Sequence, residues 1–204
     1  MLALIEREIG PGRVLDAFAA VPREAFVKAE DLEAAYDDRP LSIGYGQTIS
    51  QPLMVAITVN ALDLRGGEHV LDVGSGSGYQ AAILAQLSSD VVAVERLAPL
   101  VDRSRAALAH LGYSNVAVYA AGDGLGWPDD APYDAIAVAA AAPEIPESLV
   151  EQLKDGGRLL VPVGPRSSQE LVRVIRSGES RSAQSLGACR FVPLLGAGAW
   201  PEND

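Results

Sequence analysis

Cysteine, histidine and lysine are scarce in this chain of 204 residues, where Cys189, His69, His110, Lys28 and Lys154 are the only examples. A lone cysteine excludes an internal disulfide and any thiolate metal cluster. Two histidines far apart and outside ligand spacing give no reason to expect a metal; His110 reads as a helix-surface residue and His69 as the opening of a strand. Bases are few as well, 16 against 27 acids, for a net charge of -11. A diffuse negative field repels phosphate backbones and no basic patch offsets it, so nucleic acid is not an expected partner. Although 49% of the residues are hydrophobic, no apolar run approaches the roughly 20 residues that span a bilayer. Leu2 to Ile5 is followed at once by Glu6, too short a stretch for a signal peptide. A cytoplasmic monomer without membrane contacts is therefore expected.

The stretch that organises the rest is Val70 to Tyr79, Val-Leu-Asp-Val-Gly-Ser-Gly-Ser-Gly-Tyr. A β-branched run ends in an acid, Asp72, then Gly74, Gly76 and Gly78 alternate, and Tyr79 to Leu87 has helical character. This is the strand, glycine turn and helix start of a nucleotide-binding α/β unit, in which residues without Cβ atoms let the backbone turn sharply and approach a ligand.

The spacing predicts helices over Met1 to Glu8 and Pro11 to Ala20, a short one over Leu32 to Tyr36, and another from Pro52 to Leu62. Asp37-Asp38-Arg39-Pro40 stops the third, with its charges on a solvated face. After the glycine turn, strands at Asp90–Glu95, Val116–Ala120, Asp134–Ala140 and Arg158–Val163 alternate with helices at Ala98–Leu111 and Pro146–Leu153. That alternation means a doubly wound, mostly parallel sheet. Glu170–Arg176 and Cys189–Leu195 lack an intervening helix, which predicts an antiparallel edge, and polar Ser177 to Ser185 reads as the loop of a hairpin. One domain is expected over residues 1–204, with N-terminal helices and a loop in 1–51 and the α/β core and last strands in 52–204.

Ligands of open α/β sheets bind beyond the carboxyl ends of the strands, where the strand order reverses. Glu95 ends the second strand, where a carboxylate can accept both hydroxyls of a ribose, and Asp123 follows the third, where one could accept from the amine of adenine. Two ligands compete for such a site. Gly76, Gly78 and Ala81 satisfy the dinucleotide pattern G-x-G-x-x-G/A, but an acid before a Gly-x-Gly-x-Gly series and the lack of room for a substrate domain favour S-adenosylmethionine. The loop Leu41 to Gln51 admits two readings as well: Ser50 or Gln51 caps the next helix, or its hydroxyl and amide groups form a binding loop.

Taken together, Val21 to Val27, Ile43 to Pro52, Val70 to Tyr79, Val94 to Arg96, Gly122 to Gly124, Ala141 to Pro146, Gly156 to Leu159, Pro162 to Gly164 and Arg190 to Leu194 resemble the protein-L-isoaspartate O-methyltransferases. The resemblance implies a class I, Rossmann-like methyltransferase fold and methyl transfer from S-adenosyl-L-methionine to the α-carboxylate of L-isoaspartyl residues in damaged proteins or peptides. S-adenosyl-L-homocysteine is then the product, and the ester collapses to a succinimide whose hydrolysis begins repair. It also implies Ser50 as the active-site residue, and Ile49, Ser50, Val192, Pro193 and Leu194 as substrate contacts. The cofactor is implied to lie on Thr48, Ile49, Asp72, Gly74, Ser75, Gly76, Gly78, Glu95, Asp123 and Gly124. Leu53 replaces the histidine or aromatic residue frequent in the family, and Leu195 the threonine of some members. A carboxyl methyltransferase acting on an aspartate of a modified peptide would share these motifs, as would a catalytically silent S-adenosylmethionine-binding protein.

Overall fold

A computed structural model describes residues 1–201. The N-terminal region holds α1 (Leu2–Ile9), α2 (Arg13–Ala20) and two 3-10 turns, Arg23–Phe26 and Ala29–Ala34. Next comes an antiparallel pair, β1 (Leu41–Gly44) and β2 (Gln47–Ile49). Then follow α3 (Pro52–Ala61), β3 (His69–Val73), α4 (Tyr79–Ala85), β4 (Asp90–Glu95), α5 (Ala98–His110), β5 (Val116–Ala120), β6 (Tyr133–Val138), α6 (Glu147–Glu151), β7 (Leu153–Val163), β8 (Gln169–Ser177) and β9 (Ser180–Cys189).

The main sheet has the order β5-β4-β3-β6-β7-β8-β9. Its first five members are parallel, and β8 and β9 are antiparallel additions. The chain runs outward from β3 to β5 and returns to β6 on the other side of β3, so the order reverses there and opens a crevice above β3. Residues of the inner strands are buried whichever way they point, which is why these strands read as continuous apolar runs. Val70, Ala93 and Ala135 join the core beneath α1–α5, while Leu71, Val92 and Ile136 join the core on the opposite face with α6. The alternation is the strand's own two-residue period.

The mostly parallel sheet with an antiparallel edge is the predicted one, but its boundaries differ. The polar segment expected to be a loop, Ser177 to Ser185, is largely strand: β9 pairs with β8 from Ser177↔Ser180 to Gln169↔Cys189, closing over Gly178 at φ 59°. This edge strand is exposed along most of its length, so it carries no apolar alternation from which to read it. Beyond Cys189 the expected strand is absent; the chain instead crosses the carboxyl end of the sheet, where Leu194 N–H donates to Ala141 O and Ala141 N–H to Val192 O. The helix expected to end at Asp155-Gly156-Gly157 stops at Glu151, and those residues lie within β7. Leu41 to Gln51 is a hairpin rather than an irregular loop.

Candidate active site

A cleft lies above the carboxyl ends of β3 and β4, lined by the glycine turn, the hairpin and the segment Val192 to Leu195. Its floor is the glycine turn. Gly74 and Ser75 N–H both donate to Val94 O, at 2.9 and 3.1 Å, tying the turn to β4. Gly76 has φ 54° and a side chain there would meet Ile43 of the hairpin at 3.1 Å, so both backbone strain and close packing require glycine. Gly78, predicted to contact the cofactor, is not on the cleft wall. At φ 90° it begins α4 and lies against Ser104 and Leu108; it serves helix packing.

Glu95 is 7% exposed and reaches the wall with both oxygens engaged: Oε2 accepts Gly76 N–H at 2.9 Å and Oε1 accepts Leu97 N–H at 2.8 Å. A carboxylate has about four lone-pair sites, so each oxygen keeps capacity for one more donor, the requirement for holding two vicinal hydroxyls. Asp72 lies deeper, fully buried beneath the turn and off the wall; Gln80 Nε2, whose residue does line the cleft, donates to its Oδ1 at 2.7 Å. Burial pushes the Asp72 carboxyl up to about 7, the Gln80 bond working against the rise and Glu95 adding to it. Asp72 Oδ2 and Ser75 Oγ are buried without a partner among the described residues. The Glu95 carboxylate and the unpartnered Ser75 hydroxyl on the wall, with the buried Asp72 beneath them, suit a ligand that brings a cation and hydroxyl donors. A nucleoside bearing a sulfonium and an ammonium meets that set of acceptors.

Asp123 departs from its expected place. Its neighbours Gly122 and Gly124 line the cleft, but Asp123 is exposed and is not part of the wall. The wall here is built from Gly122, Gly124, Leu125 and Gly126. That segment is held from below by Gln152, whose Oε1 accepts Trp127 N–H at 2.9 Å while its Nε2 donates to Leu125 O at 2.9 Å and Ser148 O at 2.8 Å.

The opposite wall is the hairpin and the crossing segment. Thr48, Ile49 and Ser50 line it, as do Val192, Pro193 and Leu194. Of the predicted site residues, Gly74, Ser75, Gly76, Glu95 and Gly124 share this cleft with those six, whereas Asp72, Gly78 and Asp123 do not reach its surface.

Neither side-chain cap foreseen for α3 exists; Gln51 precedes the helix without capping it. Asp38, expected only on a solvated face, supplies that function, its Oδ1 accepting Leu53 N–H at 2.9 Å and its Oδ2 the Gln51 amide at 3.4 Å. Arg23 was not foreseen either: it is completely buried and donates from Nη2 to Ser50 O at 2.7 Å. Arg23 and Glu24 both interrupt the apolar spacing of Val21 to Val27, and nothing in it separates the buried residue from the exposed one.

Residues 2–199 match the family model described as protein-L-isoaspartate(D-aspartate) O-methyltransferase. A protein-L-isoaspartate O-methyltransferase of Syntrophus aciditrophicus is 49% identical over 191 residues, covering 92% of this chain and 88% of that protein. One of Methanoculleus marisnigri is 50% identical over 195 residues, 95% of this chain and 88% of its own length. Among solved structures, a protein-L-isoaspartate O-methyltransferase superposes with a TM-score of 0.88 at 28% identity over 97% of this chain, which spans 65% of that longer structure. A Plasmodium falciparum structure described as the same enzyme, in complex with S-adenosyl-L-homocysteine, gives 0.78 at 28% identity, over 94% of this chain and 96% of its own.

Proposed function

The chain belongs to the protein-L-isoaspartate(D-aspartate) O-methyltransferase family, and from that premise we infer that its cleft transfers a methyl group from S-adenosyl-L-methionine to the α-carboxylate of L-isoaspartyl residues, initiating repair. One observation carries the chemical part of this reading. Among the described residues lining the cleft, the titratable side chains are Tyr79, Glu95 and Arg96, and both oxygens of Glu95 already accept backbone N–H groups. A wall so poor in general bases suits a nucleophile that needs none. An α-carboxylate is ionised at neutral pH, its reference pKa being about 3.3–3.7.

When bound, S-adenosyl-L-methionine supplies a methyl group made electrophilic by a positively charged sulfur. Glu95 would hold its ribose hydroxyls, Gly74 to Gly76 would let the backbone approach it, and Thr48, Ile49 and Gly124 would complete its walls. Asp72 would balance its positive charge from beneath. The protein's task is then placement and exclusion of water. Ser50 can donate to the substrate carboxylate and orient it without removing a proton. Val192 to Leu194, anchored to Ala141, would form the rim against which the peptide lies.

This reading treats residues 1–51 and 52–204 as parts of one methyltransferase domain. A core shared by Phe18, Phe26, Ile49 and Tyr79 supports that division of labour. It further takes the protein to be a cytoplasmic monomer acting on isoaspartyl proteins or peptides and not on nucleic acid, in keeping with a net charge of -11. Among the described residues no helix is long and apolar enough to cross a membrane. The test is labelled methyl transfer to matched isoaspartyl and aspartyl peptides: base-labile label in the isoaspartyl peptide alone is expected, and label in neither rejects the assignment.

A further inference from the structure

Arg23 presents an energetic problem. Its side chain is completely buried, yet its hydrogen bonds go to two neutral main-chain carbonyls, from Nε to Ala35 O and from Nη2 to Ser50 O, each at 2.7 Å. Nη1 has no partner among the described residues. Withdrawing a cation from water costs several kcal/mol, on the order that a close carboxylate would be needed to offset. An apolar side chain could fill the same space without that cost. Burial accordingly depresses the Arg23 pKa, with Tyr79 and the more distant Asp38 opposing the shift.

The position of the guanidinium explains what it contributes. It joins two segments that are distant in sequence, Ala35 twelve residues on and Ser50 twenty-seven residues on. Its Cζ lies 4.8 Å from the centroid of the Tyr79 ring, and Tyr79 lines the cleft beside Ser50. The charge therefore sits one aromatic ring behind the wall. Ser50 itself lies between two anchors from the N-terminal region, Arg23 on its carbonyl and Asp38 on the start of α3.

We propose that Arg23 is a positioning residue for methyl transfer: its planar fork fixes the Ser50 main chain on the cleft wall, and its charge favours an anionic carboxylate at Ser50. The proposal rests on the functional reading above and adds to it the residue through which Ser50 is held. Lysine cannot substitute, because an ammonium lacks a rigid fork able to bridge two carbonyls in fixed geometry.

The test is a double-mutant cycle on wild type, Arg23→Lys, Ser50→Ala and the double variant, reading kcat and KM for an isoaspartyl peptide and, separately, the Kd of S-adenosyl-L-homocysteine by calorimetry. Arg23→Lys is expected to lower kcat/KM at least tenfold with the Kd unchanged within twofold, and to cost little more once Ser50 is alanine, since residues acting through one another are not additive. Parallel loss of S-adenosyl-L-homocysteine binding, full activity of Arg23→Lys, or losses that multiply in the double variant each overturn it. If neither Arg23→Lys nor Arg23→Met unfolds cooperatively, Arg23 serves the fold alone and the proposal fails. Failure of the wild-type protein to methylate the peptide would instead reject the functional reading, so the two outcomes are separable.

Discussion

The Glu95 carboxylate accepts Gly76 N–H at 2.9 Å, joining the end of β4 to the tightest point of the glycine turn. Its other oxygen accepts Leu97 N–H at 2.8 Å, so the same side chain also sets the start of α5. Glu95→Gln must turn an amide NH2 toward one of these N–H donors. Hydrogen bonds to a charged group contribute about 1.5–3 kcal/mol, and the variant keeps one as a weaker neutral bond while losing the other, its NH2 opposing that donor. S-adenosyl-L-homocysteine affinity is expected to fall at least about tenfold, with a lower unfolding midpoint. Calorimetric titration and a thermal melt check both, and an unchanged Kd would remove Glu95 from the cofactor site.

Ser50 lines the cleft, and its carbonyl is held independently of its hydroxyl. Removing the hydroxyl should therefore leave the hairpin in place. A lost donor to a charged carboxylate is worth about 1.5–3 kcal/mol, so Ser50→Ala is expected to lower turnover of an isoaspartyl peptide roughly 10- to 100-fold. Cofactor affinity should stay within twofold of wild type. Equal losses in both would mean that Ser50 belongs to the cofactor site.

The inner strands could be read from sequence because burial on both faces leaves an unbroken apolar run, as in Val91 to Val94. The glycine turn was legible because positive φ leaves few residues able to occupy it. β9 was not, since an exposed edge strand carries no buried face. Asp123 was misplaced for a related reason: a strand-end position fixes the backbone but not whether the side chain faces the crevice or the solvent. Arg23, Asp38 and Gln152 escaped because their bonds join segments 12 to 27 residues apart, and only the folded chain brings those partners together.

Asp72 should give the apoprotein a distinctive pH dependence. Its folded-state pKa of about 7 lies above its ordinary value of 3.8, principally through burial. The sign follows directly: between those values the unfolded chain has released a proton that the folded chain retains, so stability falls as pH rises through this window and levels off above about 7. Below it, both states are protonated and the penalty vanishes. Asp72→Asn should flatten this slope in urea midpoints measured from pH 5 to 8. Because a cationic ligand favours the ionised acid, S-adenosyl-L-methionine should bind the wild type more tightly at pH 8 than at pH 6, with proton release. The Asn variant should lose that release, and identical pH profiles would contradict the role assigned to Asp72.

Gln152 is the remaining test of how the cleft wall at Leu125 and Gly126 is held. It is buried, and its three hydrogen bonds clamp Leu125 and Trp127 to the end of α6 at 2.8–2.9 Å. The segment it clamps includes Gly126, where a side chain would come within 2.4 Å of Gln152 Oε1. Gln152→Ala strands a buried N–H and two carbonyls, and each unsatisfied group costs about 1–3 kcal/mol. Gln152→Glu keeps the acceptor for Trp127 but sets a carboxylate oxygen against the carbonyls of Leu125 and Ser148. Both variants should melt at lower temperature and bind S-adenosyl-L-homocysteine more weakly, with Glu at least as damaging as Ala. Peptide KM measured at saturating cofactor should stay near wild type, because Ser50 and Val192 to Leu194, the wall proposed to meet the peptide, come from other segments. A peptide KM that rises while cofactor affinity is unchanged would show that Gln152 supports the substrate side instead.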